Sequence, residues 1–192
     1  MTIGGILLTG GTSRRLGTDK ATLVLDGRTL AERAAATLRE AGIVAVEVGP
    51  GHSDLPAVRE EPPGSGPLAA LVAGFEALGR VLDGAPEAAV LLACDLPYAA
   101  PVVAALVGAP SSAALVVPLD ADGRAQYVCA RYGAAVVARA ATLLAAGERS
   151  LRALAATVPA PERVELTGLP ADALADIDTE ADAQRFGVEL PR

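Results

Sequence analysis

The sequence contains no tryptophan, and aromatic residues make up only 3% of it. Proteins that grip single-stranded nucleic acid stack bases on aromatic rings, so that mode of binding has little to work with here. Basic residues do not cluster into an extended tract, and the net charge is −7. A nucleic-acid or anionic-membrane surface is therefore not expected. A small anionic substrate suits this balance only if its charge is met locally.

Other scarcities narrow the chemistry. No apolar run reaches transmembrane length, and the first residues lack the basic region and cleavage site of a secretory signal, so a cytoplasmic location is expected. The two cysteines, Cys94 and Cys129, lie in apolar, strand-like runs without a C-x-x-C spacing. They are expected to be reduced and buried. His52 is the only histidine, which removes any histidine-based metal cluster or catalytic triad; it reads as a loop residue with no special role. Lysine is rarer still in proportion: Lys20 stands alone against fifteen arginines.

What is present is apolar and periodic. Hydrophobic residues reach 52% of 192, enough for a sizeable core, and no linker or composition shift divides the chain, so residues 1–192 are expected to form a single domain. Apolar strand-like runs occur at 6–8, 45–48, 89–93, 114–117 and 127–130. Helical periodicity covers 30–41, 68–82, 101–107, 134–146 and 179–186. Alternating buried strands and helices predict a three-layer α/β/α sandwich, Rossmann-like, with a mostly parallel sheet. In such folds ligands bind beyond the carboxyl ends of the strands. That rule groups the 9–20 loop, the 49–53 loop and Asp95 on one edge.

The first of those loops carries the strongest chemical signal. Leu7-Leu8-Thr9-Gly10-Gly11-Thr12-Ser13-Arg14-Arg15-Leu16-Gly17-Thr18-Asp19-Lys20 follows an apolar strand with paired glycines, hydroxyls, two arginines and a lysine. Glycines allow close backbone approach, freed N–H groups can face anionic oxygens, and arginine and lysine bring a planar fork and a mobile charge. The segment suits a nucleotide phosphate. It is not a P-loop, because Lys20 lies three residues after Gly17 and is followed by Ala21. Nor is it a dinucleotide fingerprint, because Gly10-Gly11-Thr12 breaks the G-x-G-x-x-G spacing. A Gly-rich surface turn with arginines is the plain alternative.

A second signal is Ala93-Cys94-Asp95-Leu96-Pro97-Tyr98, where a carboxylate ends a wholly apolar strand. Such a charge is costly unless paired or metal-bound, and Mg²⁺ prefers carboxylate and phosphate oxygens. The plain alternative is that Asp95 caps the following helix. A third is the rigid loop Glu60-Glu61-Pro62-Pro63-Gly64-Ser65-Gly66-Pro67-Leu68 entering a helix.

Together these segments resemble the molybdenum cofactor guanylyltransferases, within the wider nucleotidyltransferase superfamily. Residues 7–20 are similar to their L-x-G-G-x-S-R-R-M-G-x-D-K, with Leu16 for the methionine and Thr9 for the usual alanine. Residues 60–71 resemble their acidic-PxGxGPLAGL element, and residues 94–98 their C-D-x-P-[FY]. The resemblance implies transfer of GMP from GTP to the phosphate of molybdopterin, with release of pyrophosphate. It implies nucleotide contacts from Leu8, Thr9, Gly10, Gly11, Lys20, Glu60 and Asp95, with Glu60 facing the guanine and Gly66, Pro67 and Leu68 shaping that part of the pocket. Arg15, Lys20 and Asp95 take the catalytic roles, and Asp95 holds Mg²⁺ on the triphosphate. Molybdopterin and other molybdenum-cofactor biosynthesis or acceptor proteins are the implied partners.

The chain departs from that pattern in places. Gly49 stands where the family has an asparagine after the second strand, Glu60 replaces an aspartate, and Asp176 replaces an asparagine in N-[VI]-[ND]-T. The Ala146-Gly147-Glu148-Arg149 element makes Arg149 a candidate for the pterin side, against an ordinary glycine helix stop with a solvated ion pair. Asp178 or Thr179 is expected to cap the last helix. Reading L-x-G-G with G-P-L-A favours guanine over the cytidylyltransferases of the group. A sugar-phosphate nucleotidyltransferase and a non-catalytic nucleotide-binding regulator are the other readings.

Overall fold

The computed structural model describes residues 1–10 and 17–190. Gly11 and Arg15, both expected at the phosphate site, lie outside the described residues.

The frame is a seven-stranded sheet. Its strands are β1 (Ile3–Leu8), β4 (Val44–Val48), β5 (Ala57–Val58), β6 (Ala88–Ala93), β7 (Leu115–Pro118), β8 (Cys129–Gly133) and β9 (Arg163–Leu166), while β2 (Val24–Leu25) and β3 (Arg28–Thr29) make a separate hairpin. The spatial order is β5-β4-β1-β6-β8-β7-β9. β8 runs antiparallel to both its neighbours, and every other pairing in the sheet is parallel. The expectation of a mostly parallel α/β sandwich is met.

Strand alternation sorts the core into two layers. Ile6, Val46 and Leu91 point to one face, beneath α2 (Pro67–Val81), α4 (Ala134–Ala145) and α5 (Leu151–Ala156). Leu7, Ala45, Val90 and Leu92 point to the other, beneath α1 (Leu30–Glu40) and α3 (Ala100–Gly108). Period-two side-chain direction with apolar residues on both faces is what a covered parallel sheet requires. α1 starts at a capping box between Thr29 and Glu32, and α2 starts with Pro67 in its first turn, where no N–H is needed.

Several expected boundaries move. β1 begins at Ile3, three residues before the expected start, and runs through Gly4-Gly5. The sheet needs them small: a Cβ on Gly5 would stand 2.9 Å from the Ala45 Cβ, and one on Gly4 2.6 Å from Leu78 Cδ1. The expected strand at 127–130 is displaced to Cys129–Gly133, because its last residues, Arg131 and Tyr132, are polar by type yet buried. Arg131 crosses to the end of α3 and donates to the carbonyls of Leu106, Ala109 and Pro110 at 3.0, 2.9 and 2.5 Å. Burial pulls its pKa down. The expected helix at 179–186 is α6 (Glu180–Phe186), with Thr179 as its cap, reciprocated by Asp182.

A small third cluster positions the functional edge. Leu23 and Leu25 of the hairpin region pack with Leu30, Ile177, Ala183 and Val188. The Ile177 N–H also bonds the Asp95 carbonyl at 3.1 Å. The segment before α6 is thereby fastened to the end of β6. Both cysteines are free and buried, as expected; burial raises the Cys94 thiol and pushes Cys129 up to about 12.

Candidate active site

Parallel register brings Leu8, Val48 and Ala93 side by side at the carboxyl ends of β1, β4 and β6. A cleft of about 970 Å³ opens above them. Leu8, Thr9, Gly10, Lys20, Glu60 and Asp95 all line it, as do Gly49, Asp176 and Asp178. Residues from three expected motifs therefore share one cavity, large enough for a nucleotide-sized ligand.

Lys20 is the electrostatic centre. Its Nζ lies 2.8 Å from Asp95 Oδ2 and also donates to Asp178 Oδ1. Burial alone pulls an ammonium down, but the charges and hydrogen bonds of Asp95 and Asp178 outweigh it and hold Lys20 above its ordinary value. Asp176 stands nearby and is held above the usual carboxylate range, first by desolvation and then by repulsion from Asp178 and Asp95. Two carboxylates thus share the one ammonium, with Asp176 beside them in the cleft.

The alternative reading of Asp95 as a helix cap is not met, and of the two candidates for the last cap the structure takes Thr179. Ala99, not Asp95, occupies the cap position of α3, with no side-chain hydrogen bond there. Asp178 does not cap α6 either, since Thr179 takes that place and Asp178 turns to Lys20. Ile177 between the two aspartates is buried and holds this segment in place. A single D-I-D-T stretch cannot reveal a partner 158 positions away.

Thr9 is placed on the edge but its side chain is engaged. Its N–H bonds the Val48 carbonyl at 3.2 Å, and its hydroxyl donates to Glu47. Glu47 was not singled out by the sequence, where it sits inside the strand Val44–Val48. It is fully buried. Besides Thr9, its carboxylate accepts the N–H groups of Gly51, His52 and Ser53, each at 2.8 Å, and the Ser53 hydroxyl at 2.6 Å. Burial pushes such a carboxyl up, but these donors prevail and hold it below its ordinary range. The backbone N–H groups of residues 51–53 are therefore occupied by the protein's own anion.

His52 is likewise more than a loop residue: its Nε2 meets Asp19 Oδ2 at 2.8 Å. Glu60 reaches the cleft with one carboxylate oxygen holding the Gly64 N–H at 2.9 Å. Gly66 and Pro67 line the same wall. Asp120 and Gln126 form a further lining pair, joined at 2.8 Å, which no sequence pattern had marked. Arg149 follows Gly147 beyond the end of α4, and no ion pair to Glu148 is seen among the described residues. Its guanidinium donates to the Leu144 and Glu148 carbonyls at 3.3 and 3.0 Å, on the last turn of α4 and just beyond it.

Comparison with known proteins gives a consistent result. Residues 5–164 match the family model described as the MobA-like NTP transferase domain. The chain is 38% identical over 164 residues to a probable molybdenum cofactor guanylyltransferase of Mycobacterium tuberculosis, covering 79% of this chain and 78% of that one. A protein of the same name from Mycobacterium avium is 35% identical over 201 residues, covering 95% and 93%. In fold, the chain is similar to the crystal structure of molybdopterin-guanine dinucleotide biosynthesis protein A from Archaeoglobus fulgidus, with TM-score 0.73, 18% identity and 96% of each chain covered.

Proposed function

The chain belongs to the MobA-like NTP transferase family, and within it we propose a guanylyltransferase that moves GMP from GTP onto the phosphate of molybdopterin. The observation that carries this reading is the meeting of Lys20 and Asp95 in the cleft above β1 and β6. It joins the cation and the carboxylate that a triphosphate with its counter-ion needs.

In the proposed reaction an oxygen of the acceptor phosphate attacks the α-phosphorus of GTP. The new P–O bond forms as the bond to the β-phosphate bridging oxygen breaks, and pyrophosphate leaves with the electron pair. The attacking oxygen is already ionised at neutral pH, so no general base is required. This suits a site whose one histidine is bound to Asp19. The work left to the chain is alignment and charge stabilisation. Lys20 neutralises charge growing on the leaving pyrophosphate, and Arg15 is assigned the same role from its place in the motif.

The residues also fit a hard divalent cation. Asp95, with Asp176 and Asp178 lining the same cleft, offers carboxylate oxygens of the kind Mg²⁺ prefers. Among the described residues no set of three or more side chains is arranged to hold a metal alone. Mg²⁺ held by Asp95 would complete its shell from phosphate oxygens and water. It would supply charge neutralisation on the triphosphate. Glu60 on the wall beside Gly66 and Pro67 is offered as acceptor for guanine N–H groups.

Pyrophosphate release measured with GTP or CTP and molybdopterin tests the reading. Release with GTP in clear excess over CTP supports it. A CTP preference overturns the base assignment, and release with neither overturns the transfer.

A further inference from the structure

Glu47 and His52 belong to no motif of the phosphate loop, yet they form a continuous connection to it. Five donors from Thr9 and residues 51–53 close around the Glu47 carboxylate. A loop that turns its N–H groups inward in this way has little freedom, and His52 is held at its apex. From there the Nε2 reaches Asp19 Oδ2 at 2.8 Å. The other oxygen of Asp19 accepts the Ala21 N–H at 3.0 Å and caps a single 3-10 turn, Lys20–Thr22. Lys20 is the first residue of that turn.

The geometry points to His52, anchored by Glu47, as a positioning residue that sets Lys20 in the cleft through Asp19. Stability is a poor explanation for the contact. The His52 and Asp19 side chains remain 25% and 39% exposed, and ion pairs so open to water add little to folding. What the contact does fix is direction. Without it, Asp19 keeps one tie to its own turn and loses the tie to the loop after β4, and among the described residues Lys20 is left to be placed by Asp95 and Asp178.

The effect on Lys20's position is independent of the reaction, whereas the effect on turnover rests on the guanylyltransferase reading. The single lysine makes the first directly visible. Protein grown with ¹³C,¹⁵N-lysine gives one lysine side-chain spin system in a spectrum of the full chain. His52→Ala is expected to shift the Lys20 Cε–Hε signals and collapse the inequivalence of its two Hε protons. His52→Gln, whose amide N–H replaces the Nε2 donor, is expected to restore both. Unchanged Lys20 signals in folded His52→Ala overturn the proposal, and so does a shift that His52→Gln fails to reverse.

Turnover supplies the second readout. His52→Ala is expected to lower kcat/KM about tenfold, the order of one lost oriented hydrogen bond to a charged group, with His52→Gln recovering most of it. On a Lys20→Met background His52→Ala is expected to cost nothing further. A full additional loss there overturns action through Lys20. If the Lys20 signals respond as stated while the unaltered protein turns over no GTP, the positioning role stands and the guanylyltransferase reading falls.

Discussion

Lys20 Nζ and Asp95 Oδ2 meet at 2.8 Å across 75 positions of sequence, and the same ammonium also holds Asp178. Asp178 comes from a third part of the chain, fastened there by the buried Ile177. Lys20 is thus a counter-ion to both carboxylates. In the proposed reaction a triphosphate with its cation would exchange with that pairing, phosphate oxygens taking Lys20 and the cation taking Asp95.

That exchange gives the first prediction. Lys20→Met and Asp95→Asn are each expected to lower turnover by about 10²–10³, the range for removing one charge-stabilising group. Because the two act on one triphosphate, the double variant is expected to lose far less than the product of the singles. Full additivity in steady-state kinetics would contradict a shared role.

The raised Lys20 pKa also carries a stability consequence. A lysine whose folded pKa lies above its unfolded value stabilises the fold fully below the unfolded value of 10.5, and the contribution disappears as pH rises through the folded pKa. Denaturant midpoints of the unaltered protein should therefore fall above about pH 10.5. Lys20→Met should remove that part of the alkaline decline.

Glu47 works in the opposite direction. Its folded pKa lies below the ordinary 4.5, so its contribution is present above 4.5 and lost as pH falls through the folded value. Glu47→Gln is expected to cost about 1–3 kcal/mol at neutral pH, since one acceptor oxygen becomes a donor facing donors. The same variant should show a shallower loss of stability below about pH 4.5 in urea titrations. An unchanged acid profile would mean that the carboxylate is not the group being titrated.

Gly49 and Thr9 are predicted to be coupled. A Cβ on Gly49 would lie 2.0 Å from Thr9 Oγ1 and 3.0 Å from the Gly10 nitrogen. Gly49→Ala should cost about 1–3 kcal/mol by overpacking, and Thr9→Ala in the same chain should recover part of it. The threonine hydroxyl fills the space that a side chain at 49 would need. Thermal unfolding of the three variants measures the coupling directly.

Arg131 is expected to be the most sensitive of the buried polar positions. Arg131→Met strips three carbonyls at the end of α3 of their donor and should cost about 2–4 kcal/mol. Arg131→Lys should recover little of that loss, because an ammonium cannot span acceptors on both Leu106 and Pro110 as the planar fork does.

Much of this was legible in the chain itself, for physical reasons that also mark the limit. Ile6-Leu7-Leu8 and the run 89–93 announce buried strands because both faces are covered, and the Gly-Gly and Asp endings place chemistry at their carboxyl ends. Lys20 and Asp95 stand out that way, by residue type at a strand or loop end, whereas Glu60 was implied only by the resemblance. Glu47 was not, because a single acidic residue in a strand resembles a solvent-facing position of the pleat. Arg131 hid in the same manner, and Gly4-Gly5 fell outside the expected strand although close packing against Ala45 and Leu78 requires them. His52 and Asp178 depend on partners far along the chain, Asp19 and Lys20, which local pattern cannot supply.

The most direct test of the account follows the phosphates themselves. GTP labelled at either the α- or the γ-phosphate is incubated with the protein, Mg²⁺ and molybdopterin, and the pterin product is isolated. The account predicts α-label in the pterin product and γ-label only in pyrophosphate, with both transfers lost in Asp95→Asn. Label from the γ-phosphate on the pterin, or no transfer of either label despite GTP binding, would contradict it.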